Sequence, residues 1–406
     1  MAARQYGSVL HLMDPELRTI MENRSKPERL ARPTRENIQK LRPAFDASSE
    51  RWQNHGNITH SLGKCQEQTP WTQSMTEIIC RDKYRMRAEI CRPEGSGSAL
   101  PVFLLVHGGG LMMGGLGTDR AIAQLLCSSL KAVVVSIDYR YLPEISWTVL
   151  GDDVYDAMSW IQTEAGKGSG PLHDVDLSNG FTACGPSGGG NLVTSALLTA
   201  AEKLEEARQS GRPPKPEIPI VTGVMMLMTG FPVEGLDTKT GRSIDYHPRL
   251  RPSWKGMEEA PIMNRWVNPN YSEVADGFDL CSITFTPFNL PLDSPLLDHL
   301  PKRWHHQLAG LDMWHDTALL WLGLVQNGKL EPLQKRSGIH LPSVHGRPVV
   351  KVDYYTGLPH TWWSVYPQLS RTRQWLKDLV EGGGWTLNPP ESEVHGSCLS
   401  PHIAKL

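Results

Sequence analysis

Ser187 sits in Gly185-Pro186-Ser187-Gly188-Gly189, a Gly-x-Ser-x-Gly pattern that makes it a candidate nucleophile. In a chain of 406 residues with 37 glycines the pattern alone says little, and the competing reading is a flexible loop that happens to carry one hydroxyl. The flanks weigh against the loop. An apolar run ending at Cys184 reads as a buried strand, and "NLVTSALLTAAEKLEEARQS" reads as a helix beginning near Asn191, so the serine falls on a strand-to-helix turn. In so sharp a turn, side chains two before and two after the serine would collide, which gives Gly185 and Gly189 a steric purpose. The helix that follows aims its first amides at negative charge developing beside the serine.

A second glycine-rich stretch, His107-Gly108-Gly109-Gly110, lies about 80 residues upstream, directly after the apolar run "VFLLV". Unsubstituted glycines let backbone N–H groups point into a pocket where a tetrahedral oxyanion can sit. The plainer reading is a glycine turn of no chemical consequence; together with Ser187 in its strand–turn–helix setting, the oxyanion reading is the stronger one.

Groups of this kind need a rigid frame, and the chain supplies its pattern. "EIICRDKYRMRAEICRP" has the alternation of a hairpin. Val102–Val106, "AVVVSIDYR" (132–140), "GFTACG" (180–185) and "IVTGVMMLM" (220–228) are buried-strand runs. Between them, "TDRAIAQLLCSSL" and "LGDDVYDAMSWIQTEA" repeat apolar residues at three and four, as helices do. Strands alternating with helices predict an α/β fold with a mostly parallel central sheet flanked by helices. "WHHQLAG", "DTALLWLGLVQNG" and "RPVVKVDYY" resume the pattern after a Pro-, Trp- and Asp-rich stretch too long for a plain loop.

In these segments the chain resembles the hormone-sensitive-lipase-like branch of the α/β-hydrolases, over most of residues 10 to 378. "HGGGLMMGG" resembles that family's oxyanion segment, "SIDYRYLPE" its Asp-Tyr-Arg-x-x-Pro-Glu turn, and "GPSGGGNL" its elbow, with Pro186 and Gly188 as departures. "SPLLDHLP", "LAGLDMWHD" and "YYTGLPHTWW" resemble its Ser-Pro-Leu segment, acid loop and histidine loop, in that order. The resemblance implies an α/β-hydrolase fold and a triad of Ser187 as nucleophile, Asp312 as acid and His360 as base. It also implies an oxyanion hole made by the N–H groups of Gly108, Gly109 and Gly188. Asp316 and Asp353 are the rival acids; Asp316 fits the loop's second acidic position, so Asp312 ranks first.

The same comparison sets the expected organisation. Residues 1–75 form an N-terminal cap segment containing "DPELRTIMENRSK". Residues 76–230 and 291–381 form the core, 231–290 an inserted cap, and 382–406 a flexible tail. Met112 and Met113, just beyond the hole, are expected in the acyl pocket. Trp362 and Trp363 either wall the site or brace the histidine loop. His305, His306 and His315 lack the carboxylate or cysteine spacing of a metal site and are read as packing or surface residues, so no metal and no organic cofactor are expected.

Composition narrows the partners. Lys plus Arg number 41 against 43 for Asp plus Glu, with no long run of one sign, which argues against nucleic acid. Seven scattered cysteines without a Cys-x-x-Cys pair fit a reducing compartment. Neither a signal-peptide core nor an apolar run long enough to span a membrane is present in the sequence. Ala404-Lys405-Leu406 is close to the Ser-Lys-Leu address, which predicts recognition by the peroxisomal import receptor.

The resulting expectation is a serine hydrolase that cleaves a carboxylic ester or thioester through an acyl-enzyme. The peroxisomal address adds acyl-CoA or a specialised-metabolite acyl compound as the substrate class. Acyl transfer, or condensation or cyclisation on the same triad, is the enzymatic alternative. A small-molecule receptor of the same fold is the non-enzymatic one, disfavoured because Ser187, Asp312 and His360 all persist.

Overall fold

The computed structural model describes residues 11–23, 34–54, 69–231, 282–287, 290–291, 293–312, 314–326, 339–341 and 348–387. Most of the expected inserted cap (232–281) and the tail with Ala404-Lys405-Leu406 (388–406) lie outside the described residues. The described chain opens with two helices, α1 (Pro15–Asn23) and α2 (Ile38–Asn54). There follow β1 (Trp71–Ile79), β2 (Arg85–Pro93), β3 (Val102–Val106), α3 (Arg120–Leu130), β4 (Val133–Ile137), α4 (Trp147–Glu164), β5 (Phe181–Pro186), α5 (Gly188–Ser210) and β6 (Gly223–Leu227). The last described part holds β7 (Arg303–Ala309), α6 (His315–Gln326), β8 (Ile339–Leu341), β9 (Val349–Tyr355), α7 (Trp362–Val365) and α8 (Ser370–Leu387).

The strands form one nine-stranded sheet in the order β1-β2-β4-β3-β5-β6-β7-β9-β8. Its interior, from β4 through β9, is parallel, while β1, β2 and β8 pair antiparallel at the two edges. Within it β3, β4 and β6 are near-continuous apolar runs because helices cover both faces. Side chains alternate across the sheet with period two. Leu104, Val135, Val224 and Trp304 enter one core beneath α4, α5 and α6, while Phe103, Val134, Met225 and Leu227 enter the other beneath α3 and α8.

Two expected boundaries move. β1 starts at Trp71, inside the segment assigned to the cap, because an edge strand with mostly exposed side chains shows no apolar alternation to read. The tail expected from 382 instead continues α8 to Leu387, with Gly382, Gly383 and Trp385 buried. Its glycines look like a breaker but serve close packing. A Cβ on Gly382 would stand 2.0 Å from the His305 ring, and one on Gly383 would stand 2.9 Å from Leu130 and 3.0 Å from Leu126. The helix lies against the sheet at a distance that only glycine permits.

Candidate active site

Ser187 is the single residue between β5 and α5, with φ 51° and ψ −123°. This left-handed conformation is costly for a serine and holds its side chain up at the end of the strand. Neighbouring glycines make it possible. A Cβ at Gly185 would meet the Gly190 nitrogen at 2.4 Å, and one at Gly189 would meet the Val106 carbonyl oxygen of β3 at 1.9 Å. The turn is also tied from below: Ser187 N–H donates to the Leu227 carbonyl (2.9 Å), and Thr229 Oγ1 donates to the carbonyls of Gly185 and Ser187 (3.1 and 3.2 Å). Pro186 has a simple account. Its nitrogen faces β3, whose register with β5 ends at Leu105 and Cys184, so the missing N–H removes no ladder bond.

The loops after β7 and β9 bring two more groups to Ser187. His360 Nε2 lies 2.7 Å from Ser187 Oγ, and His360 Nδ1 lies 2.8 Å from Asp312 Oδ2. Asp312 is only 2 % exposed, and its other oxygen accepts the Trp314 N–H (2.9 Å) at the start of α6. That leaves the carboxylate fixed at a helix N-terminus. The two loops are joined by Leu311 N–H to the Leu358 carbonyl (3.0 Å). Beneath the histidine loop, Asp14 N–H donates to the Gly357 carbonyl (2.9 Å), so the N-terminal segment braces it as well. Of the rival acids, Asp353 bonds His305 Nε2 (2.7 Å) and takes no part here, and the Asp316 side chain lies outside the described residues.

The glycine stretch after β3 requires a correction. Gly108 N–H donates to Asp119 Oδ2 (2.8 Å) and is therefore committed, contrary to its expected place in an oxyanion hole. The next amides lie close to the start of α5: the Leu111 and Gly110 nitrogens stand 3.2 and 3.3 Å from where a Cβ on Gly188 would be. Gly109 (φ 130°) and Gly110 (φ 62°) adopt conformations that favour glycine and turn the loop toward Ser187. Asp119 is a residue that the sequence did not reveal. It stands at the N-cap of α3 but does not cap it, and burial pushes its carboxyl up to about 6 against the opposing pull of the Gly108 N–H.

His107 stacks on Tyr139 (4.3 Å between centroids, 15° between planes), and the Tyr139 hydroxyl donates to the His107 carbonyl (2.9 Å). Burial pushes its imidazole below the ordinary histidine range, so it works as a neutral wedge under the loop. Met112 and Met113 are buried, and the Met112 terminal methyl lies 3.8 Å from where a Gly110 Cβ would stand. Trp362 and Trp363 leave the substrate-contacting set. Trp363 stacks on Trp375 of α8 (4.2 Å, 9°) and Trp362 packs on Tyr355 (4.6 Å), so both brace the histidine loop.

His305, His306 and His315 have separate surroundings. His305 bonds Asp353, and His306 lies on the opposite face of β7 beside Trp304, where burial and the nearby His305 push it down to about 3. His315 packs edge-on against Tyr354 at the start of α6. Among the described residues no cluster of His, Cys, Asp or Glu could hold a metal ion, and no helix is long and apolar enough to cross a membrane.

A family model described as the α/β-hydrolase fold matches residues 103–317. The chain belongs to that family. This is the hormone-sensitive-lipase-like branch that its motifs resemble. Among relatives of this α/β-hydrolase, the versiconal hemiacetal acetate esterase of Dothistroma septosporum is 25 % identical over 329 residues, covering 79 % of this chain and 81 % of its own. Among solved structures, vibralactone cyclase superposes with a TM-score of 0.65 at 20 % identity, covering 94 % of this chain and 96 % of its own. An esterase of Pyrobaculum calidifontis superposes with a TM-score of 0.62 at 21 % identity, covering 92 % and 98 %.

Proposed function

We propose that this α/β-hydrolase cleaves a carboxylic ester through an acyl-enzyme on Ser187. The observation that carries the reading is the continuous hydrogen-bonded line from Ser187 Oγ through His360 to Asp312. His360 takes the hydroxyl proton as Ser187 attacks the acyl carbon, then returns it to the leaving alkoxide; Asp312 fixes the imidazole and stabilises its cationic form. The N–H groups of Gly109, Gly110 and Gly188 receive the oxyanion, and water reverses the sequence to release the acid. Met112, packed beside Gly110, is the side chain we assign to the acyl side of the site. Carboxylic ester hydrolysis is supported by the family and by relatives named as esterases.

Within that class we favour a small acyl ester of a specialised metabolite; the Dothistroma relative is named for an acetate ester. A thioester such as acyl-CoA belongs to the same proposal, because the same acyl-enzyme chemistry would serve it, and release of free CoA thiol from acetyl-CoA tests it. The deciding experiment is turnover of p-nitrophenyl acetate together with labelling by a serine-directed phosphonate. Ser187→Ala is expected to abolish labelling and to lower kcat by at least about 10⁴-fold. Labelling or turnover that survives the substitution would overturn the proposal.

A further inference from the structure

The oxyanion loop is built of residues that restrain themselves poorly. Gly109 and Gly110 can rotate their peptide planes at little steric cost, so the direction of their N–H groups has to be set from outside. At one end the restraint is Asp119 on Gly108. At the other end it comes from the N-terminal helix α2, about 70 residues away in sequence. Arg42 Nε donates to the Met112 carbonyl (2.7 Å) and Nη2 to the Leu142 carbonyl (3.0 Å). The outer edge of the same guanidinium makes a two-point pair with Glu144, Nη1 to Oε1 and Nη2 to Oε2, both 2.7 Å. Its plane lies over the Tyr141 ring, 5.2 Å from the centroid, and the side chain is 21 % exposed.

These bonds join three segments at one point. Leu142 N–H already donates to the Leu111 carbonyl (3.0 Å), and the N–H groups of Met112 and Met113 donate to the Gly109 carbonyl (3.3 and 3.2 Å). The loop from Gly109 to Met113 and the turn from Leu142 to Glu144 thus form one block, and Arg42 is its clamp. A planar fork that satisfies two carbonyls and a carboxylate together is a task for guanidinium that an ammonium cannot copy.

We propose that Arg42 is a positioning residue for the oxyanion loop, so that helix α2 takes part in transition-state stabilisation through Met112 and Leu142 instead of serving only as a cover. This rests on Ser187 acting as the nucleophile. The role separates from a purely structural or substrate-binding one by where the kinetic loss falls. An interaction that orients oxyanion donors is realised in the transition state and lowers kcat, whereas loss of substrate contact raises KM. A small ester reports this most clearly, since its acyl and leaving groups need little from a cap.

The experiment is steady-state turnover of p-nitrophenyl acetate by the full-length chain. Arg42→Ala is expected to lower kcat about tenfold, with KM within about twofold of wild type. Millimolar methylguanidinium should restore part of that kcat, and Arg42→Lys should stay near the alanine variant. Glu144→Gln keeps the carbonyl bonds but weakens the anchor, and is expected to lower kcat about threefold at unchanged KM. If Arg42→Ala does not fold, Glu144→Gln alone decides. Arg81→Ala removes an exposed arginine bridging Asp152 and Asp156 and should leave kcat unchanged. Wild-type kcat in Arg42→Ala or, failing that variant, in Glu144→Gln overturns the proposal, as does a loss confined to KM or a loss shared by Arg81→Ala. Ser187→Ala in the same assay keeps the two readings apart: turnover that survives it removes the nucleophile, whereas Ser187-dependent turnover indifferent to Arg42 removes only the clamp.

Discussion

Among the described residues two histidine–aspartate pairs span the same two strands, and only one of them meets a serine hydroxyl. His360 and Asp312 stand on the loops beyond β9 and β7, bonded at 2.8 Å, with the imidazole 22 % exposed and 2.7 Å from Ser187. His305 and Asp353 lie within β7 and β9 themselves, bonded at 2.7 Å, with the imidazole fully buried under α8 and its Nδ1 without a partner. The bond is the same and the setting differs. Asp353 also belongs to an acidic group: the nearby Asp378 accepts the Tyr355 hydroxyl (2.8 Å), and burial with the Asp353 charge pushes it up to about 6. A histidine–carboxylate bond is therefore no signature of catalysis. Location at the carboxyl end of the strands, a hydroxyl within reach and access to solvent make the difference.

Separating the two pairs by substitution is the most direct test. Asp312→Asn is expected to lower kcat on p-nitrophenyl acetate by roughly 10⁴-fold, because an amide would hold His360 in the wrong tautomer, with little change in melting temperature. Asp353→Asn should do the reverse. It leaves kcat within about twofold while costing on the order of 3 kcal/mol in urea unfolding, the scale of a broken buried pair. A large kcat loss from Asp353→Asn, or none from Asp312→Asn, would exchange their roles.

A third buried carboxylate sharpens the contrast, since Asp119 faces a backbone N–H where the other two face an imidazole. Its folded-state value of about 6 lies above the ordinary 3.8, so between those values the folded chain keeps a proton that the unfolded chain has released. Stability then falls as pH rises through that window and levels off above it. Relative to wild type, Asp119→Asn should therefore gain about 2 kcal/mol in urea unfolding between pH 4 and pH 7, at 1.36 kcal/mol per unit. A difference that does not change with pH would mean that the carboxyl is not held as described. The smallest effect concerns packing on the buried pair alone. Gly382→Ala should cost about 2 kcal/mol through overpacking on His305, with kcat retained.

Much of this was legible in the sequence because it depends on local pattern. The strand cores at Val102–Val106 and Phe181–Pro186 and the helix after Ser187 follow from apolar runs and periodicity. The site's three members were readable through family motifs, and the structure brings them within hydrogen-bonding distance. What escaped depends on direction or on distant partners. Whether Gly108 or Gly110 offers its N–H is set by peptide-plane orientation, which residue types do not encode, and by Asp119, whose place before a helix suggests an ordinary cap. Helix α5 begins at Gly188 and not near Asn191, because three successive glycines look like a loop until the strand edge above them is known to exclude side chains. The indoles of Trp362 and Trp363 show which way they face only once Trp375 is placed against them.

The placement of α8 has a consequence for how the protein comes into being. Ser187 and the glycine loop are synthesised in the first half of the chain, while Asp312 and His360 follow far behind, on the loops after β7 and β9. Helix α8, later still, packs back on α3, β5, β6 and β7, closing the frame that carries all of them. A nascent chain that has made its serine is therefore not yet an esterase. The complete site needs residues from the last third of the chain, and the helix that packs beneath their strands is made after all of them.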